Sequence, residues 1–313
     1  MKIAGIDIGT NSIRYLAVET HPYGPPEIIA RGLATPRLGE ELAGTGRISD
    51  NAFNRTINEL SRINNKLKSM GVSEFKCVGT EALRLADNGD IFIRRAAEIG
   101  LTINILTGEE EARLIYAGAI DTLNLSASGY ILSDVGGGST EIITAPGGEE
   151  PRFISLPLGC VRLKELAGDQ GLDWMNEYCH DLLEKYFPAA PAKESVSSDG
   201  KTLIGLGGTF TTLAAIHLQL TDYDGDRIHG LPIPTEEIGR IGEELFRCDA
   251  DEMKKISGME PSRADIIVSG IIIVQSIMDH FRFSQVIISD RGLLWGLIPK
   301  YSEGNPSVTP ILS

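Results

Sequence analysis

The sequence predicts an α/β protein built from one folding unit used twice. Three observations lead there. Two apolar strands, "GIDIG" at Gly5–Gly9 and "SDVGG" at Ser133–Gly137, each end in Asp-x-Gly and run into small hydroxyl residues. Around each, strand-like runs are followed by an alternation of helix and strand. A further glycine turn, "GLGGT" at Gly205–Thr209, joins a strand to a helix. Units of this kind carry ligands at the ends of their strands, so two of them facing each other predict a cleft between domains.

The first unit opens with strand-like runs at Ile3–Asp7, Ile13–Glu19 and Glu27–Leu33, separated by turn residues, which predicts a meander. A glycine-rich loop, Gly39–Gly46, leads to a helix of about 20 residues with Ser49 as its cap and Phe53, Ile57, Leu60, Ile63 and Leu67 at helical spacing. A strand (Phe75–Val78), a helix (Asp90–Ile99), a strand (Ile103–Leu106) and a helix from Glu109 complete it. The polar, small stretch Leu123–Gly129 marks a boundary, giving a first domain of residues 1–124 and a second of 125–313, with the last segment free to pack back on the first.

Beyond the boundary the pattern restarts. Strands end at Asp134 and run over Glu141–Ala145 and Arg152–Leu156; helices follow, then a strand at Leu203–Leu206. A long helix over Ser262–Phe281, a strand at Val286–Ser289 and a short helix close the chain. Pro188–Ser198 and the residues after Ser302 read as loop and tail.

Bulk composition excludes several classes. Apolar content of 42% and charged content of 23% are those of a globular protein large enough for two domains. The longest apolar run, Ile266–Ile277, is interrupted by Ser269, Gly270, Gln275 and Ser276 and reads as a buried helix, so no membrane partner is expected. Met1-Lys2 leads straight into a strand, with no signal peptide expected. The four cysteines form no C-x-x-C pair, which favours a reducing cytoplasm, and Cys179-His180 reads as ordinary helix. A formal charge of −14 argues against DNA or RNA as a partner. An anionic substrate would need local arginines, helix termini or a metal to override that field.

The glycine loops suggest how. Gly136, Gly137 and Gly138 follow a strand ending in a carboxylate, and bare backbone exposes successive amides to an anion. Ser139 and Thr140 add hydroxyl donors, with Asp134 and Glu141 placed to hold a cation or water. Gly9, Thr10, Asn11 and Ser12 would do the same from the facing domain, beside Asp7. Gly207, Gly208 and Thr209, opening a helix, form a third anion setting. The structural alternative is a tight hairpin whose glycines serve positive φ alone; the repetition of the pattern favours phosphate.

The ordered segments "GIDIGTNSIR", "VGTEALRLA", "TGEEEARLIYAGA", "DVGGGSTE", "LPLGCVRLKE", "GLGGTFTTLA", "RADII" and "ISDRGLLWG" resemble the exopolyphosphatase/guanosine pentaphosphatase (Ppx/GppA) family over essentially the whole chain. That family is a branch of the actin-like phosphotransferase superfamily. The resemblance implies two actin-like (ribonuclease H-like) domains with an interdomain cleft. It also implies hydrolysis of the terminal phosphoanhydride of inorganic polyphosphate or of guanosine pentaphosphate (pppGpp), with Mg²⁺ or another divalent cation. Longer relatives carry a further C-terminal domain; this chain resembles the short form, and a homodimer is among the expectations.

"TGEEEARLIY" offers three carboxylates. Thr107 and Glu110 fit a capping box, and Glu109 suits the helix dipole. Ala112, Ile115, Tyr116 and Ala119 form the expected buried stripe, and at about 100° per residue Glu111 lies about 40° from Ile115. A carboxylate beside apolar surface is where desolvation favours a general base. The resemblance places the family's base at the same residue and assigns Asp134 and Glu141 to metal and water, with Asp7 beside them. Arg84, in "VGTEALRLA", is a phosphate clamp or a helix-surface arginine; Arg14 and Arg113 are weaker candidates. Cys160 is assigned to packing, and Arg227 and His229 to a basic entrance or to solvent. Relatives often show Arg-Glu where this chain has Leu294-Trp295.

Polyphosphate hydrolysis leads, with pppGpp hydrolysis inseparable from it on sequence. An actin-like kinase shares the paired glycine loops, but the carboxylate-rich helix start suits water activation; a non-catalytic alarmone sensor would have no use for an activated base.

Overall fold

A computed structural model describes residues 1–21, 24–123, 129–147, 149–188 and 201–299. The expected boundary after residue 124, most of the Pro188–Ser198 loop and the tail after Ser302 lie outside those residues. The chain divides into two compact units, Met1–Asp121 with the segment from Arg291, and Thr122–Asp290.

In the first unit, β1 (Lys2–Ile8), β2 (Ile13–Glu19) and β3 (Glu27–Ala34) are followed by α1 (Leu42–Thr45), α2 (Asp50–Ser69), β4 (Glu74–Gly79), α3 (Glu81–Leu85), α4 (Gly89–Glu98), β5 (Ile103–Ile105) and α5 (Gly108–Ala119). The second unit begins with β6 (Gly129–Val135), β7 (Thr140–Pro146), β8 (Arg152–Leu156), α6 (Cys160–Ala167) and α7 (Gly171–Tyr186). It continues through β9 (Thr202–Leu206), α8 (Gly207–His217), α9 (Gly225–Ile228), β10 (Pro232–Pro234), α10 (Thr235–Leu245), α11 (Ala250–Met253), α12 (Ile267–Phe281) and β11 (Gln285–Ile288). The last helix, α13 (Leu293–Leu297), belongs to the first unit.

The sheet of the first unit runs β3-β2-β1-β4-β5, and that of the second runs β8-β7-β6-β9-β11-β10. In both, the leading strand pairs antiparallel with its hairpin partner on one side and parallel with a crossover strand on the other. The second sheet thus repeats the first and adds β10 antiparallel to β11 at its edge. This is one strand order used twice. No helix among the described residues is long and apolar enough to cross a membrane.

Sequence explains the layering. Ile3, Ala4, Ile6 and Ile8 are fully buried, so β1 is apolar on both faces, as a central strand covered on both sides must be. Helix α2 starts where Ser49 Oγ accepts the Ala52 N–H at 3.3 Å, and it buries Ile57, Leu60, Ile63 and Leu67. Each such side chain contributes roughly 1.5–3 kcal/mol of hydrophobic stabilisation. Asn64, buried on the same helix, donates to Ile99 O at 2.7 Å.

Two local expectations are corrected. The Gly39–Gly46 loop contains a single helical turn, α1, bracketed by left-handed Glu41 (φ 65°) and Gly46 (φ 69°). Helix α3 is the short helix that carries Arg84. The long helix begins at Ile267 rather than Ser262: Pro261 starts a separate 3₁₀ turn ending at Arg263, and Ile266 (φ −123°) breaks the helical path. That break leaves Ile266 O, together with Cys160 O, within hydrogen-bond reach of the buried Ser269 hydroxyl, at 2.8 and 2.6 Å.

The end of α8 is tied to the start of α10 by charge. Glu237 accepts from Arg240 at 2.8 Å and lies 3.0 Å from His217 Nδ1. These bonds, Arg240's first, hold the Glu237 carboxyl down at about 2. A depressed carboxylate stabilises the fold fully above its ordinary value of 4.5 and loses that contribution as pH falls through about 2. We therefore expect Glu237→Gln to cost about 1 kcal/mol at pH 7, after allowance for the exposed Arg240. Urea denaturation of both proteins should show the difference shrinking steadily below pH 4.5; a gap independent of pH would refute it.

Candidate active-site residues

In the first unit the β1–β2 register pairs Asp7 with Arg14 and Ile8 with Ile13, leaving Gly9, Thr10, Asn11 and Ser12 as the turn. Gly9 N–H donates to Ser12 O at 3.0 Å and closes it. Gly9 is not in a left-handed conformation; a Cβ there would meet Ser12 O at 3.2 Å, so glycine serves close approach. Residues 37–39 back the turn: Arg37 N–H donates to Asn11 O at 3.0 Å and Gly39 N–H to Thr10 O at 2.8 Å. Asp7 is 2% exposed. Its Oδ2 accepts from Arg14 Nη2 at 2.7 Å and Nε at 3.1 Å. Asp7 Oδ1 and Asn11 Nδ2 are buried with no hydrogen-bond partner among the described residues. An unsatisfied buried polar group costs about 1–3 kcal/mol, so an orphan acceptor and an orphan donor in this hairpin are what a ligand would satisfy.

The second unit repeats the arrangement. Asp134 pairs with Glu141 and Val135 with Thr140, and Gly136 N–H closes the turn on Ser139 O at 3.0 Å. The carbonyls of Gly136 and Gly137 accept from the first amides of α6: Cys160 N–H at 3.0 Å on Gly136 O, then Val161 N–H at 2.8 Å and Arg162 N–H at 3.1 Å on Gly137 O. A Cβ on Gly159 would overlap the Gly137–Gly138 peptide. The α6 N-terminus is thus spent on shaping the loop. Ser139 is buried in the turn. The Thr140 hydroxyl, expected as a ligand donor, is instead donated to Leu158 O.

Asp134 and Glu141, directly opposite on neighbouring strands, are 5% and 1% exposed. Glu141 Oε1 accepts from Ser155 Oγ at 2.7 Å. Carboxylates directly across a sheet repel, and their hard oxygens suit Mg²⁺, so this donor set fits a divalent cation. Among the described residues no group of three His, Cys, Asp or Glu side chains forms a metal-holding cluster. Helix α8 starts beside this pair. Gly207 (φ 85°) has no room for a Cβ, because Asp134 Oδ1 and the Val135 backbone occupy that space. Gly208 is in contact with the Arg263 guanidinium, and Thr209 packs against Gly270 of α12. Arg263, within "RADII", carries no local signal of a role in the sequence; only the fold brings it to the first turn of α8.

Helix α5 sorts its three glutamates. Thr107 Oγ1 accepts the Glu110 N–H at 3.2 Å while Glu110 Oε2 accepts the Thr107 N–H at 2.7 Å, completing the capping box. That backbone bond holds the Glu110 carboxyl below its ordinary value. Glu109 pairs with Arg113 at 2.7 Å on the exposed face. Glu111 turns inward and is 7% exposed. Arg84 Nη1 lies 3.5 Å from Glu111 Oε2 and donates to Leu106 O at 2.5 Å, so Arg84 is no surface arginine. The buried face also differs from the expected stripe: Leu114 is buried and Tyr116 only half-buried, because α13 covers this side of α5.

The remaining candidates resolve locally. Cys160 is buried, with its thiol pushed up by desolvation, consistent with packing. His229 is half-buried, with Nε2 3.3 Å from Thr122 O and Nδ1 3.5 Å from Ser289 Oγ; Arg227 is exposed. Leu294 and Trp295 pack on Ile3, Leu16, Val18 and Ile298, and the Arg291 guanidinium sits 4.8 Å from the Trp295 ring centroid.

Each unit thus ends its leading strand in an Asp-x-Gly hairpin turn, and the first also buries a glutamate beside an arginine. The Ppx/GppA phosphatase family model matches residues 17–302, and the chain belongs to that family. It is 30% identical over 315 residues to exopolyphosphatase 2 of Mycobacterium tuberculosis (strain ATCC 25618 / H37Rv), covering 95% of this chain and 97% of that protein. The crystal structure of the Aquifex aeolicus Ppx/GppA family member matches with a TM-score of 0.76 at 30% identity, over 95% of this chain and 96% of that one. An exopolyphosphatase from Cytophaga hutchinsonii ATCC 33406 shares the fold, with a TM-score of 0.85 at 23% identity over 95% and 96% of the two chains.

If α6 shapes the glycine loop, Gly159→Ala should destabilise the protein by about 1–3 kcal/mol, the usual cost of overpacking. Guanidinium denaturation checks this; a change within about 0.5 kcal/mol, the range of neutral surface substitutions, would refute it.

Proposed function

We propose that this chain is an exopolyphosphatase that removes the terminal phosphate of inorganic polyphosphate, with Glu111 as the general base. The observation that carries the reading is the division of labour on the first turn of α5. Glu110 caps and Glu109 pairs at the surface, yet Glu111 is buried beside Arg84 with neither task to perform. Burying a charged carboxylate is costly unless it is paired, and here its partner is the Arg84 guanidinium. The relatives' names support the substrate: exopolyphosphatase 2 aligns with this chain over 97% of its length.

In the proposed reaction a water oxygen forms a bond to the terminal phosphorus as the bridging P–O bond breaks. The water proton passes to the Glu111 carboxylate, and the shortened chain leaves with the bridging oxygen. Transfer of this kind is mostly positioning and charge neutralisation. Gly9–Ser12 and Gly136–Ser139 would grip phosphate oxygens, the Asn11 amide among the donors. Gly207 and Gly208 would add helix-terminal amides and Thr209 support for that turn. Arg84 would orient Glu111 and counter the substrate's charge, with Arg263 as a further cation. Asp134 and Glu141 are the residues that would hold Mg²⁺, whereas Asp7, expected to join them, is paired with Arg14. That ion would withdraw charge from the phosphate oxygens. The net charge of −14 makes these local positive groups necessary for an anionic substrate.

The test is orthophosphate release from polyphosphate by the full chain and by Glu111→Gln. We expect kcat to fall by about 10²–10⁴-fold, the range of general-base catalysis, with KM little changed. Equal turnover in the variant would remove Glu111 from the mechanism, while turnover of pppGpp with none of polyphosphate would reassign the substrate.

A further inference from the structure

We propose that α13 is a positioning wedge that fixes the general base relative to the β1 carboxylate; this rests on the assignment of Glu111 above. The segment "RGLLWG" is otherwise unexplained by the chemistry, yet its backbone is packed with unusual closeness on α5 and lies in ordinary van der Waals contact with β1, the two elements that carry those acids. On one side is α5. A Cβ on Gly118 would overlap Gly292 O and lie 2.8 Å from Gly296 N, and a Cβ on Gly296 would overlap Leu114 O. On the other side is β1, where a Cβ on Gly5 would stand 3.4 Å from Leu297 Cβ and 3.5 Å from Leu294 O.

The spacing along each element carries contact to chemistry. Gly5 and Asp7 are two residues apart on β1 and therefore share a face of the sheet. Ile3, on that same face, packs with Leu294, Trp295 and Ile298. Gly118 and Glu111 are both buried on α5, two helical turns apart. An ordinary packing helix meets its neighbours through side chains that can shift rotamer. Here α5 meets α13 backbone to backbone, with no flexible atoms between them, so a displacement of α13 is passed directly to α5. Glu111 would move with it, away from the Arg84 guanidinium 3.5 Å distant.

A misplacement of about 1 Å can cost about 10²-fold in rate without a change in the reacting groups. Gly118→Ala, in the full chain and assayed on polyphosphate, should therefore lower kcat by roughly 10- to 100-fold with KM within about twofold of wild type. The acid limb of its pH–rate profile should move to higher pH, because Glu111 loses the nearby positive charge. Leu297→Ala, which loosens the wedge without inserting a methyl group, should show the same shift to a smaller degree and covers the case in which Gly118→Ala fails to fold. A purely structural role would scale activity with the fraction of folded protein and leave the acid limb in place; that result in Leu297→Ala overturns the proposal. The two assignments separate cleanly. If Glu111→Gln is inactive while the glycine and leucine variants keep the wild-type limb, positioning alone fails. If Glu111→Gln is fully active, the base assignment fails and the wedge's role with it.

Discussion

A β-hairpin has a side-chain period of two, and the architecture of both units depends on where that period starts. In each, the first strand ends in a carboxylate one position before the last pair of the hairpin, Asp7 before Ile8–Ile13 and Asp134 before Val135–Thr140. The four-residue turn then begins on a glycine whose amide closes it at 3.0 Å. A slip of one residue would send both carboxylates to the opposite face of their sheets. The flanking apolar residues forbid that slip. In β1, Ala4, Ile6 and Ile8 belong to one core and Ile3 to the layer beneath α13, so neither face can accept the other's residues.

Given that register, the glycines around the loops act mainly by absence of bulk. Gly9 and Gly136 keep ordinary φ and simply let the turn close. Gly159 lets α6 seat its first amides on the loop carbonyls, and the buried Ser269, within reach of Cys160 O, anchors that helix start to α12. Gly207 is the exception that needs a left-handed backbone, and it too is pressed against Asp134. Rigidity here comes from backbone meeting backbone rather than from long, entropically costly side chains.

Much of this was legible in the sequence because it is local. Strand periodicity, the Ser49 cap and the Thr107–Glu110 box each depend on residues a few positions apart, and the same helical geometry singled out Glu111 for burial. What escaped notice depends on distant partners. The Thr140 hydroxyl looked like a ligand donor until Leu158, 18 residues away, accepted it. Arg263 reaches Gly208 only through the break at Ile266, and no periodicity announces a guanidinium at a helix terminus. The single-turn helices α1 and α3 are too short to show a repeat. Leu294-Trp295 read as a departure from the family pattern, whereas in the fold it fills the layer over Ile3, Leu16 and Val18.

The duplication is faithful in backbone and unequal in charge. The residue opposite the strand carboxylate is Arg14 in the first unit and Glu141 in the second. In the first, the guanidinium satisfies one oxygen of Asp7 and leaves the other buried and unpartnered among the described residues. In the second, the same register sets two buried carboxylates face to face. One difference at one hairpin position therefore separates the two halves: the Arg14 hairpin holds a neutralised pair beside a turn whose buried amide donor has no partner among the described residues, and the Glu141 hairpin concentrates negative charge. The glycine turn is the same in both, so what distinguishes the two halves is charge and not backbone.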